Sequence, residues 1–318
     1  MSAPSRELRR LSVVAPMYDE EQTAAAFHAR VSSALEGLEY ELVLVNDGSG
    51  DATPRLLDEL AAADPRVRVI HLSRNFGHQA ALTAGLEHAQ GDVVVMLDAD
   101  LQDPPELIRE MLERWRDGAD VVYAVREARA GETRFKLLTA KLFYRVFSQM
   151  ASVPLEPDSG DFRLMDRRAL DALLSMEERS RFLRGMTVWV GFTQTAVTYR
   201  RDPRHEGETK YTLRRMVRFS LDALVSFSNA PLQWATILGF LFSAVALLGI
   251  PLTVVARYTD QFVPGIPSTI VVLLGLGGIQ LITVGIIGEY VARIYDEVKR
   301  RPLYVVRERR NMDQDGDR

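Results

Sequence analysis

The chain has 318 residues, with 39 Lys and Arg against 43 Asp and Glu, and its formal net charge of −4 excludes the strong basic excess of a protein that coats nucleic acid. It contains no cysteine, which excludes disulfides, cysteine-ligated zinc, iron–sulfur clusters and thiolate catalysis. Apolar residues make up 47% of the chain, too many for a disordered protein, and the length suits about two domains.

Up to residue 126 the sequence alternates short apolar runs with helical patterns. The runs predict five strands, at Leu11–Pro16, Tyr40–Asn46, Val67–Leu72, Asp92–Leu97 and Asp120–Val125. The intervening patterns predict four helices, at Glu20–Leu35, Ala52–Ala63, His78–Ala89 and Pro105–Asp117. This alternation is typical of an α/β domain whose mainly parallel sheet is covered on both faces.

Four of the predicted strands are followed by a polar segment. The segments are PMYDE (16–20), NDGSGD (46–51), SRNFGH (73–78) and DADLQ (98–102). Parallel strands bring their carboxyl ends to one edge of a sheet, where open α/β sheets bind ligands, so we expect the four segments to form one site. The sequence has no GxGxxG after the first strand and no GxxxxGK(S/T), which disfavours a dinucleotide dehydrogenase and a P-loop nucleotidase.

Asp98 and Asp100 end the fourth predicted strand two residues apart, and strand alternation would point both carboxylates to the same side. Unpaired carboxylates would repel each other, and a divalent cation would relieve that repulsion. Oxygen ligands suit Mg²⁺ or Mn²⁺, and Gln102 can add a carbonyl oxygen. The sequence therefore predicts a metal site at Asp98, Asp100 and Gln102.

Other acidic residues near these segments have a local interpretation. Asp51 is predicted to cap the second helix. Asp103 is predicted to be the N-cap of the fourth helix, with Pro104 at its first position and Glu106 completing a capping box.

The C-terminal third of the chain predicts membrane segments. Tyr211–Ser228 has apolar residues at helical spacing with arginines between them, which suits a helix in the membrane interface or one packed on the soluble domain. Leu232–Ala256 and Gly265–Gly288 carry no formal charge, and each is long enough, at about 36 Å as a helix, to cross a bilayer. The short connection predicts a hairpin of two transmembrane helices.

Basic residues cluster before the first predicted span and after the second, whereas the connection offers only Arg257. We therefore expect a multi-pass protein of the plasma membrane, with both termini and the α/β domain in the cytoplasm. The predicted domains are the α/β domain (1–203), juxtamembrane helices (204–230), a transmembrane pair (231–290) and a C-terminal tail (291–318). Within the tail, Asn311–Arg318 has little apolar content and is expected to be disordered.

The polar segments occur in an order that resembles a known family. The matching stretches are VVAPMYDEE, ELVLVNDGSGDAT, LSRNFGHQAALTAGLEHAQGDVVVMLDADLQDPPE, SGDFRLMDRRAL and RHEGETKYTL, followed by the two spans. Together they resemble the family-two glycosyltransferases of the GT-A fold, in the polyprenyl-phosphate branch. Asp19 departs from the asparagine expected at its position.

The resemblance implies roles for individual residues. The nucleoside and ribose would be bound by Pro16, Tyr18, Glu20, Asp47 and Asp98. The metal would be held by Asp98, Asp100 and Gln102, with Asp100 essential for catalysis. Phosphates would be contacted by Arg126, Arg204 and Lys210, chosen from a cationic pool that also includes Arg129 and Arg163. Asp161 would lie at the reaction centre, either as a base or to orient the acceptor or a sugar hydroxyl.

The implied reaction is an inverting, metal-dependent transfer of a hexose from a nucleotide sugar to a polyprenyl phosphate, with glucose, UDP-glucose and undecaprenyl phosphate as the first choice. GDP-mannose, UDP-N-acetylhexosamine and aminoarabinose donors are alternatives, because a few pocket contacts decide the sugar. A non-catalytic membrane adaptor that binds nucleotide sugars is the alternative from another class. Glycines in the second span permit close helix packing, so a homo-oligomer, for instance a tetramer, is also expected.

Overall fold

The computed structural model describes residues 6–126, 159–199 and 266–312, together with isolated helical positions between 232 and 248. The described residues fall into two compact units. One contains residues 6–126, 159–199 and 302–312, and the other contains residues 266–301. The predicted interface helix Tyr211–Ser228 lies outside the described residues, as does most of the first predicted span.

The predicted alternation of strands and helices is confirmed in the first half of the chain. The elements are β1 (Leu11–Met17), α1 (Ala24–Ala34), β2 (Tyr40–Asn46), α2 (Thr53–Ala63), β3 (Val67–Leu72), α3 (His78–His88), β4 (Val93–Met96), α4 (Leu107–Arg116) and β5 (Val121–Arg126). The largest difference is at α1, which begins at Ala24 rather than Glu20. The N–H groups of Thr23 and Ala24 donate to the Glu20 carbonyl, so a turn precedes the helix.

Six further elements follow in the described parts of the chain. They are β6 (Ser159–Asp166), α5 (Arg167–Leu174), α6 (Leu183–Trp189), β7 (Gln194–Tyr199), α7 (Ile266–Lys299) and β8 (Val306–Arg310). The described strands form one eight-stranded sheet in the order β7-β5-β6-β4-β1-β2-β3-β8. β6 and β8 run antiparallel to their neighbours, and the other described strand pairs are parallel, as predicted for a mainly parallel sheet.

The insertion of β6 between β4 and β5 determines where the site lies. β6 pairs antiparallel with β4, and Met96 lies opposite Arg163. Asp98 follows Met96 by two residues, and Asp161 precedes Arg163 by two residues, so both lie near the same end of this strand pair. Two carboxylates that are 63 residues apart in the sequence therefore meet at the carboxyl edge of the parallel strands.

The last strand, β8, was not predicted. It pairs antiparallel with β3 at the edge of the sheet. The Asn311 side-chain amide donates to the carbonyls of Ala61 (2.6 Å) and Val67 (2.8 Å), so the predicted disorder does not hold for Asn311 itself. β8 has the sequence VRERR, which looks like a polar tail but suits an edge strand, where charges prevent pairing with other chains.

Within the described residues, one helix segment is long and apolar enough to cross a membrane. This segment, Gly275–Lys299, has 25 residues, a mean hydropathy of 1.4 and no buried part. It belongs to α7, which continues 11 residues past the predicted end of the span at Gly288. At 34 residues α7 is about 51 Å long, longer than the hydrocarbon core requires. The described residues do not include enough of the first span to test the predicted hairpin.

A buried carboxylate, Glu41 on β2, joins the amino ends of the central strands. Its side chain is fully buried and accepts hydrogen bonds from the Ser12 hydroxyl (2.5 Å), the Gln90 N–H (2.6 Å) and the Arg68 guanidinium (2.7 Å). Burial alone would raise the pKa of Glu41, but these hydrogen bonds outweigh it and hold the pKa below its ordinary value. A charged, fully paired group therefore lies where the sequence pattern predicts only an apolar strand.

We expect Glu41→Gln to lower the free energy of unfolding by about 3–5 kcal/mol, because Arg68 would keep a buried charge without its partner. Glu36→Gln is the matched control, since Glu36 is exposed and its change should stay within about 0.5 kcal/mol. Chemical unfolding of the purified protein measures both. Equal stability of the two variants at neutral pH would contradict this interpretation.

The same group predicts a pH dependence. Because the pKa of Glu41 is lowered in the folded protein, its contribution is complete above the ordinary value of 4.5 and is lost as the pH falls below it. The difference in unfolding free energy between the wild type and Glu41→Gln should therefore shrink on acidification. Unfolding curves at neutral pH and at about pH 4 measure this difference, and a constant gap would count against the pairing described here.

Candidate active site

The loops after β1 and β2 are tied to each other. Tyr18 is half exposed, and the backbone of Asp19 is left-handed with a φ of 53°. The Asp19 N–H donates to the Ser49 hydroxyl (3.1 Å), and its carboxylate accepts from the Gly50 N–H (2.9 Å). Aspartate and asparagine both tolerate this conformation, so Asp19 can replace the expected asparagine without strain.

Glu20 is anchored beside this loop. Its N–H donates to the Thr53 hydroxyl (2.8 Å), and its carboxylate accepts from the Thr23 hydroxyl. Asp51 accepts from the N–H of Thr53, the first residue of α2, at 2.9 Å. The prediction that Asp51 is the N-cap of this helix is wrong, because Ala52 occupies that position without a side-chain capping bond. The predicted nucleoside-binding residues Tyr18 and Glu20 therefore sit on a fixed loop, and the partly buried Pro16 belongs to β1 itself.

Asp47 connects the loop after β2 to the loop after β3. Its buried carboxylate accepts from the N–H groups of Phe76 (2.7 Å) and Gly77 (3.0 Å). Burial raises the pKa of Asp47, and the two backbone hydrogen bonds only partly offset that effect. Gly48 follows at a φ of 68°, and a Cβ there would come within 2.4 Å of the Arg74 backbone. This close approach of the two loops therefore requires glycine.

The predicted residues Asp98 and Asp161 meet at a third side chain, His78. The His78 Nε2 atom lies 3.3 Å from Asp161 Oδ2 and 3.6 Å from Asp98 Oδ1. His78 is the first residue of α3, so the loop after β3 delivers it directly to the carboxyl edge of β4. The imidazole thus bridges a carboxylate from β6 and one from the loop after β4.

Two further groups contact Asp161. The Arg184 guanidinium on α6 and the Gln79 amide each lie 3.4 Å from its carboxylate. Gln79 is itself held, because its carbonyl accepts from the Leu183 N–H at 2.9 Å. Burial would raise the pKa of Asp161, but the hydrogen bond from His78 and the charge of Arg184 hold it well below its ordinary value. Asp161 is therefore a firmly ionised carboxylate.

The pKa values of His78 and Asp98 change in ways that depend on each other. Burial opposes the charged imidazole, but the hydrogen bond to Asp161 and the nearby Asp98 raise the pKa of His78. Burial raises the pKa of Asp98 to about 6, and the negative charges of Asp161, Asp103 and Asp100 add to this effect against the opposing charge of His78. The charged form of Asp98 is thus disfavoured in the folded protein.

The geometry behind the predicted metal site needs correction. β4 ends at Met96, so Asp98 and Asp100 lie in a turn, and the alternation of a strand does not orient them. Leu101 in this turn has a φ of 59°, and Asp100 Oδ1 accepts from the N–H of the buried Gln102 (3.1 Å). Among the described residues, no group of three or more His, Asp or Glu side chains could hold a metal ion.

The predicted capping role of Asp103 is wrong. α4 begins at Leu107, and its N-cap residue, Glu106, makes no capping hydrogen bond and instead pairs with Arg30 at 2.9 Å. Asp103 is buried and accepts a hydrogen bond from the Tyr199 hydroxyl. Tertiary contacts with a residue 96 positions away thus override the local helix-start pattern.

The predicted cations fall into three groups. Arg126 lies at the end of β5, partly exposed at the edge that carries the site. Arg163 is buried, and its guanidinium donates to the Gly160 carbonyl (3.0 Å) within β6. Burial lowers the pKa of Arg163 to about 10. The guanidinium therefore supports the backbone of β6 rather than facing a ligand. Arg204, Lys210 and Arg129 lie outside the described residues.

Sequence reasoning missed several residues of this site. His78 lies in one of the polar segments but lacks metal-ligand spacing, and Gln79 lies inside a helix. Arg184 and Tyr199 belong to the second half of the chain, where no sequence signal connects them to Asp161 or Arg126. Only the insertion of β6 and the placement of β7 beside β5 bring them together.

A mostly parallel α/β sheet with acidic and basic side chains gathered at its carboxyl edge defines a GT-A-like domain. Residues 12–174, just over half of the chain, match the family model described as Glycosyl transferase family 2. The chain belongs to this family and is a glycosyltransferase, so the adaptor alternative is set aside.

The similarity to individual proteins extends over nearly the whole chain. A glycosyltransferase of Bacillus subtilis is 48% identical over 298 residues, covering 93% of this chain and 92% of that protein. A glycosyltransferase of Synechocystis is 46% identical over 299 residues, which cover 93% of this chain and 94% of that protein. A prophage bactoprenol glucosyl transferase homolog of Escherichia coli is 38% identical over 301 residues, covering 94% and 98%.

The carboxylate at the centre of the site is open to a direct test. Asp161→Asn keeps the shape of the side chain but leaves Arg184 and His78 without their negative partner, so we expect glycosyl transfer to fall about 100-fold or more. Asp171→Asn, an exposed residue of α5, is the matched control and should keep full activity. Steady-state rates measured beside thermal unfolding check both variants, and near-normal turnover of Asp161→Asn would exclude Asp161 from the reaction.

Proposed function

We propose that this enzyme transfers a hexose, with inversion, from a nucleotide sugar to a polyprenyl phosphate at the cytoplasmic face of the membrane. The first choice is glucose from UDP-glucose to undecaprenyl phosphate. GDP-mannose, UDP-N-acetylhexosamine and aminoarabinose donors are the alternatives within the same chemistry.

The length of the similarity to bactoprenol glucosyl transferases carries this proposal. Proteins of this name from Shigella phages SfII and SfV match 94% of this chain and at least 97% of their own length at 38% identity. The match extends well beyond the family model, which ends at residue 174. A lipid acceptor also suits a chain in which the apolar helix α7 follows the catalytic elements.

The chemistry of the described side chains suits the two anionic substrates. Expulsion of a nucleoside diphosphate develops negative charge on the leaving oxygen. The Arg126 guanidinium can form two parallel hydrogen bonds to a phosphate group and so stabilise that charge. The acceptor phosphate is also anionic, so it must approach a second set of cations. Arg184 and His78 supply positive charge next to Asp161 for that purpose.

The state of Asp161 favours one of its two predicted roles. Its lowered pKa makes it a weak base, and an acceptor phosphate is already ionised near neutral pH, so it needs no strong base. We therefore infer that Asp161 orients His78 and Arg184 around the acceptor rather than removing a proton.

The proposal includes a divalent cation at the loop after β4. The donor set favours it, because Asp98 and Asp100 place two carboxylates in one loop, and oxygen ligands suit Mg²⁺ and Mn²⁺. Asp98 and Asp100, with the Gln102 carbonyl, would hold Mg²⁺ or Mn²⁺, and donor phosphates and water would complete the coordination, as is common for Mg²⁺. When bound, the cation would stabilise the charge of the leaving diphosphate.

The test uses membranes that contain the protein, undecaprenyl phosphate and labelled UDP-glucose. We expect label in the extractable lipid, its loss with EDTA and its return with Mg²⁺ or Mn²⁺. The same assay with the other donors identifies the sugar. If no donor labels the lipid, the proposal is wrong.

Asp100→Ala tests the metal separately. We expect it to abolish transfer while leaving the thermal unfolding midpoint near that of the wild type, because Asp100 is only partly buried. The control is Asp117→Ala, an exposed carboxylate at the end of α4, which should keep normal rates. Full activity of Asp100→Ala would remove the proposed metal role.

A further inference from the structure

The guanidinium of Arg126 is held by groups from three other segments of the chain. Its Nε donates to the Tyr199 hydroxyl at 3.1 Å. One of its terminal nitrogens lies 3.7 Å from the Asp103 carboxylate, which is fully buried. The same nitrogen lies against Gly160, where an added Cβ would approach it to 3.1 Å.

The fold determines this arrangement. β5 and β7 pair in parallel, and their register places Arg126 beside Tyr199. β6 brings Gly160 to the other side of β5, and the loop before α4 brings Asp103 beneath the pair. The four residues are 23 to 96 positions apart, so no local turn or helix explains their meeting.

The hydrogen bonds have a definite direction. The Tyr199 hydroxyl has one proton, which it donates to Asp103, and it can therefore only accept from Arg126. Burial and the neighbouring Asp103 carboxylate raise the pKa of Tyr199, so the phenol stays protonated and keeps this direction at all ordinary pH values. The guanidinium is thereby fixed through its Nε edge and one terminal nitrogen.

Part of the guanidinium remains available. The Arg126 side chain is 32% exposed, whereas the Asp103 side chain has no exposure. A guanidinium has five N–H donors, and only one donates to Tyr199. The arrangement thus anchors one edge of Arg126, whose side chain stays partly exposed at the carboxyl end of β5.

We propose that Tyr199, Asp103 and Gly160 form a cradle that holds the Arg126 guanidinium in the orientation in which it binds the diphosphate of the donor. Tyr199 and Asp103 are positioning residues in this proposal, since they act through Arg126. The inference rests on the proposed function, because it takes the donor to be a sugar nucleotide. In the simpler alternative, Arg126 only neutralises the buried Asp103.

The test compares two Tyr→Phe variants that each lose one buried hydroxyl. Tyr199→Phe removes the hydroxyl that holds the Arg126 guanidinium. Tyr40→Phe, at the start of β2, removes a hydroxyl that donates to the Ser32 hydroxyl at 3.0 Å. We expect Tyr199→Phe to weaken UDP binding and raise the KM for UDP-glucose about tenfold, with the KM for the lipid acceptor unchanged. Tyr40→Phe should change neither constant, although both variants should lower the thermal unfolding midpoint.

A double variant then separates the cradle from general stabilisation. If Tyr199 acts only through Arg126, Arg126→Ala with Tyr199→Phe should bind UDP no more weakly than Arg126→Ala alone. If the losses of UDP affinity in the two single variants multiply in the double variant, the cradle is overturned and the simpler alternative remains. The same holds if Tyr199→Phe binds UDP as tightly as Tyr40→Phe. If the wild type binds no sugar nucleotide and labels no lipid, the proposed function itself fails as well.

Discussion

The balance of charge at the carboxyl edge of the sheet is the constraint on which the rest of the site depends. Asp98 and Asp103 reach this edge from the loop between β4 and α4, and Asp161 reaches it from β6. Like charges that lie close together are costly unless cations accompany them. Asp161 is balanced by His78 and Arg184, and Asp103 by Arg126. Asp98 lies 3.6 Å from His78, but burial and the neighbouring carboxylates still raise its pKa. A cation bound beside Asp98 would favour its charged form.

Two carboxylates from the two strands that flank β1 show how the fold separates stability from chemistry. Glu41, at the amino end of β2, has hydrogen bonds that satisfy its charge and lower its pKa. Asp98, just beyond the carboxyl end of β4, has a pKa that burial and neighbouring carboxylates raise. The first group makes the sheet more stable. The second has a perturbed pKa, as is common at functional sites.

The sequence predicted the part of the fold that local pattern controls. Strands β1 to β5 and their helices were recognised because apolar runs and helical periodicity alternate without interruption. β8 was missed because four of its five residues are charged, and only its pairing with β3 makes it a strand. The role of Asp103 was misjudged because a good helix-start pattern lies around it, while its true partner, Tyr199, comes from a distant strand.

The sequence predicted the acidic residues of the candidate site but missed most of the residues that pair with them. The polar segments after parallel strands identified Asp47 and Asp98, and the family resemblance added Asp161 and Arg126. The positions of His78 and Arg184 in the sequence follow no recognisable motif. They contact Asp161 only because β6 is inserted antiparallel beside β4 and because α6 packs near it. Alternation along β4 also failed for Asp98 and Asp100, since the strand ends two residues before Asp98.

The most direct measurement is an experimental structure of the full-length protein with UDP-glucose and Mn²⁺. The account predicts the diphosphate in contact with Arg126, the cation between that diphosphate and the turn that carries Asp98 and Asp100, and the uridine against the loops after β1 and β2. A nucleotide bound at another edge of the sheet, or an Arg126 that has turned away from the diphosphate, would contradict it.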